Sequence, residues 1–89
     1  MEFEWDEEKR ESNLRKHGID FEYAKDIWNG ATIESPAGET QGESRIKAIG
    51  RFGYRILAIV YTERGGKRRL ISARPASRAE RAHYDREIG

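Results

Sequence analysis

The sequence contains no cysteine, which excludes a disulfide frame, a thiolate zinc site and a cysteine nucleophile, and suits a reducing cytoplasm. No apolar stretch approaches the roughly 18–20 residues needed to cross a bilayer. The acidic start, Met1 to Asp6, is unlike a signal peptide, so a soluble, cytoplasmic protein with no membrane partner is expected. The two histidines, His17 and His83, lack metal-ligand spacing, and no glycine-rich phosphate loop precedes a helix. Neither a metal site nor a cofactor is therefore expected. Apolar residues are also scarce: 36% of the 89 residues are hydrophobic and 37% charged, and the mean hydropathy is −0.94. A chain this short buries only about 60–65% of the surface its unfolded form exposes. Residues 1–89 thus read as one domain with a thin core and modest stability.

What the sequence holds in abundance is charge, and its distribution is uneven. The formal net charge is only +1. Residues 1–44, however, carry five Lys/Arg against twelve Asp/Glu, a balance of −7, while residues 45–89 carry twelve against four, a balance of +8. Two readings follow: the basic half faces a polyanion, or the halves neutralise each other through surface ion pairs.

Phe3 and Trp5 alternate with Glu2, Glu4 and Asp6, the pattern of a short extended segment with one buried face. Asp6 is placed as the cap of a helix over 7–17 that is polar almost all round, with Leu14 its only aliphatic anchor and His17-Gly18 its stop. Asp20 caps a second helix whose Phe21, Ala24, Ile27 and Trp28 share one face before Asn29-Gly30 ends it. After a brief strand at Thr32-Ile33, the breakers in 34–44 predict a loop. Arg45–Phe52, Tyr54–Thr62 and Lys67–Ala73 read as strands joined at Gly53 and at a Gly65-Gly66 hairpin, with Gly50 also read as a turn or bulge glycine. The run Ile56-Leu57-Ala58-Ile59-Val60-Tyr61 marks the middle strand as covered on both faces. Ser77 and Glu80 form a capping box that opens a last helix over 78–87. The expected fold is α+β: a small antiparallel sheet of three to four strands, two short N-terminal helices and one C-terminal helix.

The basic residues gather in two places. Arg64, Lys67, Arg68 and Arg69 surround one hairpin, and Arg74, Arg78 and Arg81 span the junction of the last strand and last helix. At that junction a helix N-terminus and forked guanidiniums would converge on an anion the size of a phosphodiester; the alternative is a set of surface pairs such as Arg81 with Asp85. RNA cleavage without metal uses the 2′-hydroxyl of the RNA as nucleophile. The protein then supplies a proton acceptor, a proton donor and positive charge for the phosphorane oxygens. His17, His83, Tyr84, Glu63, Lys16 and the arginines are the available types, and Tyr54, Tyr61 or Tyr84 could either stack on bases or pack in the core.

Particular strings narrow these options. Phe3-Glu4-Trp5-Asp6-Glu7-Glu8-Lys9, Asn13-Leu14-Arg15-Lys16-His17-Gly18 and Phe21-x-x-Ala24 are followed in order by Gly42-Glu43-x-Arg45, Ile49-Gly50 and Val60-Tyr61-Thr62-Glu63-Arg64. Then come Ile71-Ser72-Ala73-Arg74-x-Ala76 and Glu80-Arg81-x-x-Tyr84. Over nearly its whole length the chain resembles the BrnT toxins of bacterial type II toxin–antitoxin pairs. The resemblance implies a metal-independent ribonuclease with no cofactor, which inhibits translation and is similar in fold to RelE toxins. It also implies a DNA-binding, BrnA-like antitoxin through which alone operator DNA would be met. Matched by motif, it points to His17, Arg64, Arg74 and Tyr84 as catalytic residues. Arg74 and Arg64 would bind the scissile phosphate, and His17 or Tyr84 would transfer the proton. Lys16 and Arg81 of these motifs, together with Arg78 and Lys67 of the two basic clusters, would hold flanking RNA, and Glu63 and Glu80 fall within the same motifs. The 34–44 segment departs from the family pattern, with Gly38-Glu39-Thr40 where relatives often place an aspartate and a basic residue. Two other readings stand beside this one: a non-catalytic nucleic-acid-binding module, and a protein-interaction subunit with a basic docking face.

Overall fold

The structure is a computed structural model that describes residues 1–89. Strands β1 (Glu2–Trp5), β2 (Thr32–Thr40), β3 (Glu43–Phe52), β4 (Arg55–Arg64) and β5 (Lys67–Pro75) form one sheet in the order β1-β5-β4-β3-β2. The fold is α+β as expected, but the sheet has five strands and is mixed, since β1 pairs with β5 in parallel and every other pairing is antiparallel. Phe3 and Trp5 thus belong to a strand whose partner lies at the other end of the chain.

The second difference lies in 34–44, expected as a loop. Most of it is strand: β2 runs to Thr40 and turns back into β3 through Gln41 and Gly42, both at positive φ, the backbone a tight hairpin requires. Pro36 and Gly38 sit where the β2–β3 register shifts. β2 is an edge strand, so the missing Pro36 N–H and the bulge cost no ladder on its outer side. Breakers that would end a central strand are tolerated there.

Helix α1 (Glu7–His17) starts at Asp6, whose carboxylate accepts from Glu8 N–H at 2.9 Å, and stops at left-handed Gly18. The second helix is shorter than expected: α2 (Phe21–Ala24) tightens into a 3-10 turn over Lys25–Asn29. Helix α3 (Arg78–Glu87) has the full capping box of Ser77 and Glu80.

The main core lies on one face of the sheet, with Ile49, Ala58 and Tyr84 buried on the other. Leu57, Ile59 and Tyr61 of β4 join Ala48, Leu70 and Ala73 beneath Ile19, Phe21, Ala24 and Ile27, which seats α2 and the 3-10 turn on one sheet face. Helix α3 lies on the other, where Glu80 meets Lys47 and Tyr84 meets Arg51. Gly50 is not a turn residue. It is buried within β3, and a Cβ there would come within 2.8 Å of Ile27 Cβ, so it is the close approach that lets the 3-10 turn lie on the sheet. Gly53, by contrast, is in the β3–β4 turn at φ 63°.

β1 ends opposite Leu70, leaving the later edge of β5 without a strand. Asn13 of α1 fills the gap. Its Nδ2 donates to Ala73 O at 2.8 Å and Ile19 O at 2.9 Å, and its Oδ1 accepts from Ala73 N–H at 3.0 Å. A buried side-chain amide thereby stands in for the next strand, and α1 is held alongside β5.

Candidate active site at the β5 edge

Lys9, Ser12, Asn13 and Lys16 are spaced i, i+3, i+4, i+7, which puts them on one face of α1. With Asn13 pinned to Ala73, that face lines a shallow groove of about 180 Å³ together with His17, Ile71 and Ser72. Ile71 is the residue that β5 has in excess, since Val60 pairs with Ser72 and Tyr61 with Leu70. The bulge opens the strand beside the groove. No carboxylate lines it, and neither Lys9 nor Lys16 makes an ion pair.

Two residues on from Ser72, and on the same side of β5, lies Arg74. Its guanidinium grips Glu80 with Nη1 to Oε1 at 2.7 Å and Nη2 to Oε2 at 2.9 Å, and Lys47 Nζ donates to the same Oε2 at 2.8 Å. Ser77 N–H completes the shell of Glu80 at 2.8 Å. The Arg74 hydrogen bonds hold the Glu80 carboxyl well below the ordinary carboxylate range; burial opposes them, and Lys47 and the Ser77 N–H reinforce them. The same contact raises Arg74. Two cations share one carboxylate, so the cluster keeps a positive charge. Arg74 is still 38% exposed and Lys47 30%, with donors to spare. No group of three or more His, Cys, Asp and Glu side chains stands together in a metal-binding arrangement, and no helix is long and apolar enough to cross a membrane.

Residues 5–80 match the family model described as the ribonuclease toxin, BrnT, of type II toxin–antitoxin systems. The chain belongs to this family. A comparison with curated proteins finds no match. Family membership makes the chain a ribonuclease toxin with an RNA target and an antitoxin partner.

In this toxin the residues singled out from sequence are not all neighbours. Lys16 and His17 share the groove with Ser72, and Arg74 follows on the same strand. Arg64 and Lys67 lie at the far tip of the β4–β5 hairpin, facing each other. Arg64 is six steps along β4 from Ala58, the partner of Arg74, about 20 Å away at ~3.4 Å per residue. Arg64 is also tied to Glu43 at 2.6 Å, and Lys67 faces Glu2 at 3.9 Å. Arg64 and Arg74 therefore do not converge on one phosphate. Tyr84 is 4% exposed and lies beneath Arg51, whose guanidinium carbon is 5.7 Å from the ring centre, so it packs α3 onto the sheet rather than opening to a substrate. Arg78 and Arg81 project from exposed positions of α3 without ion pairs, and Arg81 does not pair with Asp85. His83 is half-buried on the same helix and Glu63 is exposed on β4.

Tyr61 is buried edge-on to Trp28, and its hydroxyl donates to Glu34. Burial and the Glu34 carboxylate raise its pKa well above the ordinary phenol value. Burial alone would raise Glu34, but donors from Tyr61, Trp28 and Thr32 and the charge of Arg68 leave it lowered. Of the tyrosines considered for stacking, Tyr54 is the open one, 92% exposed in the β3–β4 turn.

Lys47 was not singled out from sequence, and Lys9, Ser72 and Glu80 entered only as motif positions, Glu80 also as a cap. The α1 spacing is a signal that could have exposed Lys9. Lys47 has none, because its approach to Glu80 depends on α3 folding back over β3.

Proposed function

We propose that this toxin is an endoribonuclease that cleaves RNA without a metal ion, using the β5 edge as its active site. The reading is carried by one observation: a groove with unpaired Lys9, Lys16 and His17 opens beside Ser72, two residues from the Arg74–Glu80–Lys47 cluster. In this scheme Arg74 and Lys47 meet the scissile phosphate and the charge that develops on its oxygens. Glu80 does not touch the RNA; it holds both cations in place. His17, at the rim, exchanges the proton of the 2′-hydroxyl or of the leaving oxygen. Lys9, Lys16 and the exposed Arg78 and Arg81 bind flanking phosphates. Arg64 and Lys67, at the hairpin, reach RNA only further along the strand, and Tyr84 supports α3. Inhibition of translation in the cytoplasm, a RelE-like architecture and a DNA-binding BrnA-like antitoxin complete the reading.

Purified toxin is expected to cut single-stranded RNA equally well with and without excess EDTA; activity restored only by added metal would refute the scheme. Arg74→Ala is expected to slow cleavage by about 10²–10³-fold, as removal of one donor to a developing oxyanion does. Arg64→Ala is expected to change it by less than about tenfold, and the contrast between the two rates tests the placement of the site.

A further inference from the structure

Helix α1 has a groove on each side. On the side away from β5, Leu14, Tyr23, Phe52 and Leu57 line a mainly apolar groove of about 300 Å³, with Arg55 at its margin. Leu14 is 42% and Tyr23 60% exposed there, so two large apolar side chains stand open to solvent beside the groove on an otherwise polar surface. On the other side lies the basic groove of Lys9, Lys16 and His17. The only carboxylate lining either groove is Asp20, which is already held by Arg10 at 3.0 Å. Lys9, Arg15, Lys16 and Arg55 have no carboxylate partner in the chain.

Resting on the reading of the β5 edge as the RNA site, we propose that α1 is a docking ridge for an acidic, amphipathic segment of the antitoxin. One large apolar side chain of that segment enters the groove between Leu14, Tyr23 and Phe52. Carboxylates of the same segment cross α1 and lie on Lys16 and Lys9, where RNA phosphates would otherwise bind. The apolar groove supplies most of the affinity and the cationic side the complementarity. Because the segment takes the cations of the RNA groove, antitoxin and RNA exclude each other.

The test uses the toxin and the full-length antitoxin of its own operon, with affinities measured by titration calorimetry. Leu14→Glu and Tyr23→Glu, each at a solvent-exposed position, are expected to weaken antitoxin binding by about 30-fold or more while leaving RNA cleavage and the melting temperature unchanged. A 2′-O-methyl RNA oligonucleotide, which lacks the attacking hydroxyl, is expected to be released from the wild-type toxin as antitoxin is added. Antitoxin affinity within about threefold of wild type in both variants would overturn the proposal, as would a ternary complex of toxin, antitoxin and oligonucleotide. So would a dimer of the toxin alone that Leu14→Glu dissolves, since a second copy would then be the occupant. If the wild-type toxin cleaves no RNA, the reading of the active site fails, while the two antitoxin affinities still decide whether α1 is the docking ridge.

Discussion

Glu80 shows how much one side chain can do in a chain with so little core. It closes the capping box of α3, joins β3 to β5 by binding Lys47 and Arg74, and is itself almost buried. Its folded-state pKa lies below the ordinary value of 4.5, so the native state gives up this proton more readily than the unfolded chain does. The resulting stability is fully present above that ordinary value and is lost progressively as pH falls below it. Glu80→Gln is expected to lower stability at pH 7 by about 1–3 kcal/mol, the range for leaving charged partners half-satisfied. Urea unfolding at pH 7 and pH 3 checks this, because the gap between variant and wild type should narrow at the lower pH. The cap role is visible in Ser-x-x-Glu. The link to Lys47, 33 residues away, is not.

Among the elements, α1 and β3 depend on single small residues. Asn13 satisfies both the N–H and the C=O of Ala73 where β1 no longer reaches. Asn13→Ala strands those two groups in a buried place and is expected to cost about 2–4 kcal/mol, seen as a lower urea midpoint, with faster amide exchange at Ala73. Gly50→Ala would press a methyl group against Ile27 Cβ and Thr32 Cγ2, at 2.8 and 3.0 Å. Overpacking of that kind costs about 1–3 kcal/mol, and a thermal melt measures it. The two sites differ in legibility. The boundaries of α1 follow from Asp6 and Gly18, because caps act within a few residues. Gly50 carries the same residue type as Gly53, and only the 3-10 turn packed above it separates a close approach from a turn. In β2, Pro36 and Gly38 were read as loop signals because breaker rules do not distinguish an edge strand from a central one.

For the whole molecule, the split of −7 and +8 resolves differently at the two ends of the sheet. At the β4–β5 hairpin the halves neutralise each other: Arg64 pairs with Glu43, Arg69 with Glu4 at 2.9 Å, and Lys67 and Arg68 approach Glu2 and Glu34 at 3.9 Å. At the β5 edge, Lys9 and Lys16 of the acidic half remain free beside Arg74 of the basic half. The net charge is nearly balanced, yet the available positive charge is local. If three to four phosphates are engaged there, the logarithm of RNA affinity is expected to fall with the logarithm of salt with a slope of about −2 to −3, at ~0.7 per phosphate on a single strand. A steeper slope, near that for eight or more phosphates, would mean that the hairpin cations also bind. Fluorescence anisotropy across a salt series separates the two.

Local signals alone determined the start of α1, the capping box of α3, the glycine turn between β4 and β5, the covered middle strand, and the motif strings that mark the family. Each works over a few residues, where backbone dihedrals and hydrogen-bond partners are set by immediate neighbours. Tertiary structure decided which strand β1 would join, that Asn13 would close the sheet edge, that Arg64 would be neutralised far from Arg74, and that Lys47 would meet Glu80. Those outcomes depend on groups distant in the chain being brought within a few ångströms, where charge and hydrogen bonding act and where sequence spacing carries no distance.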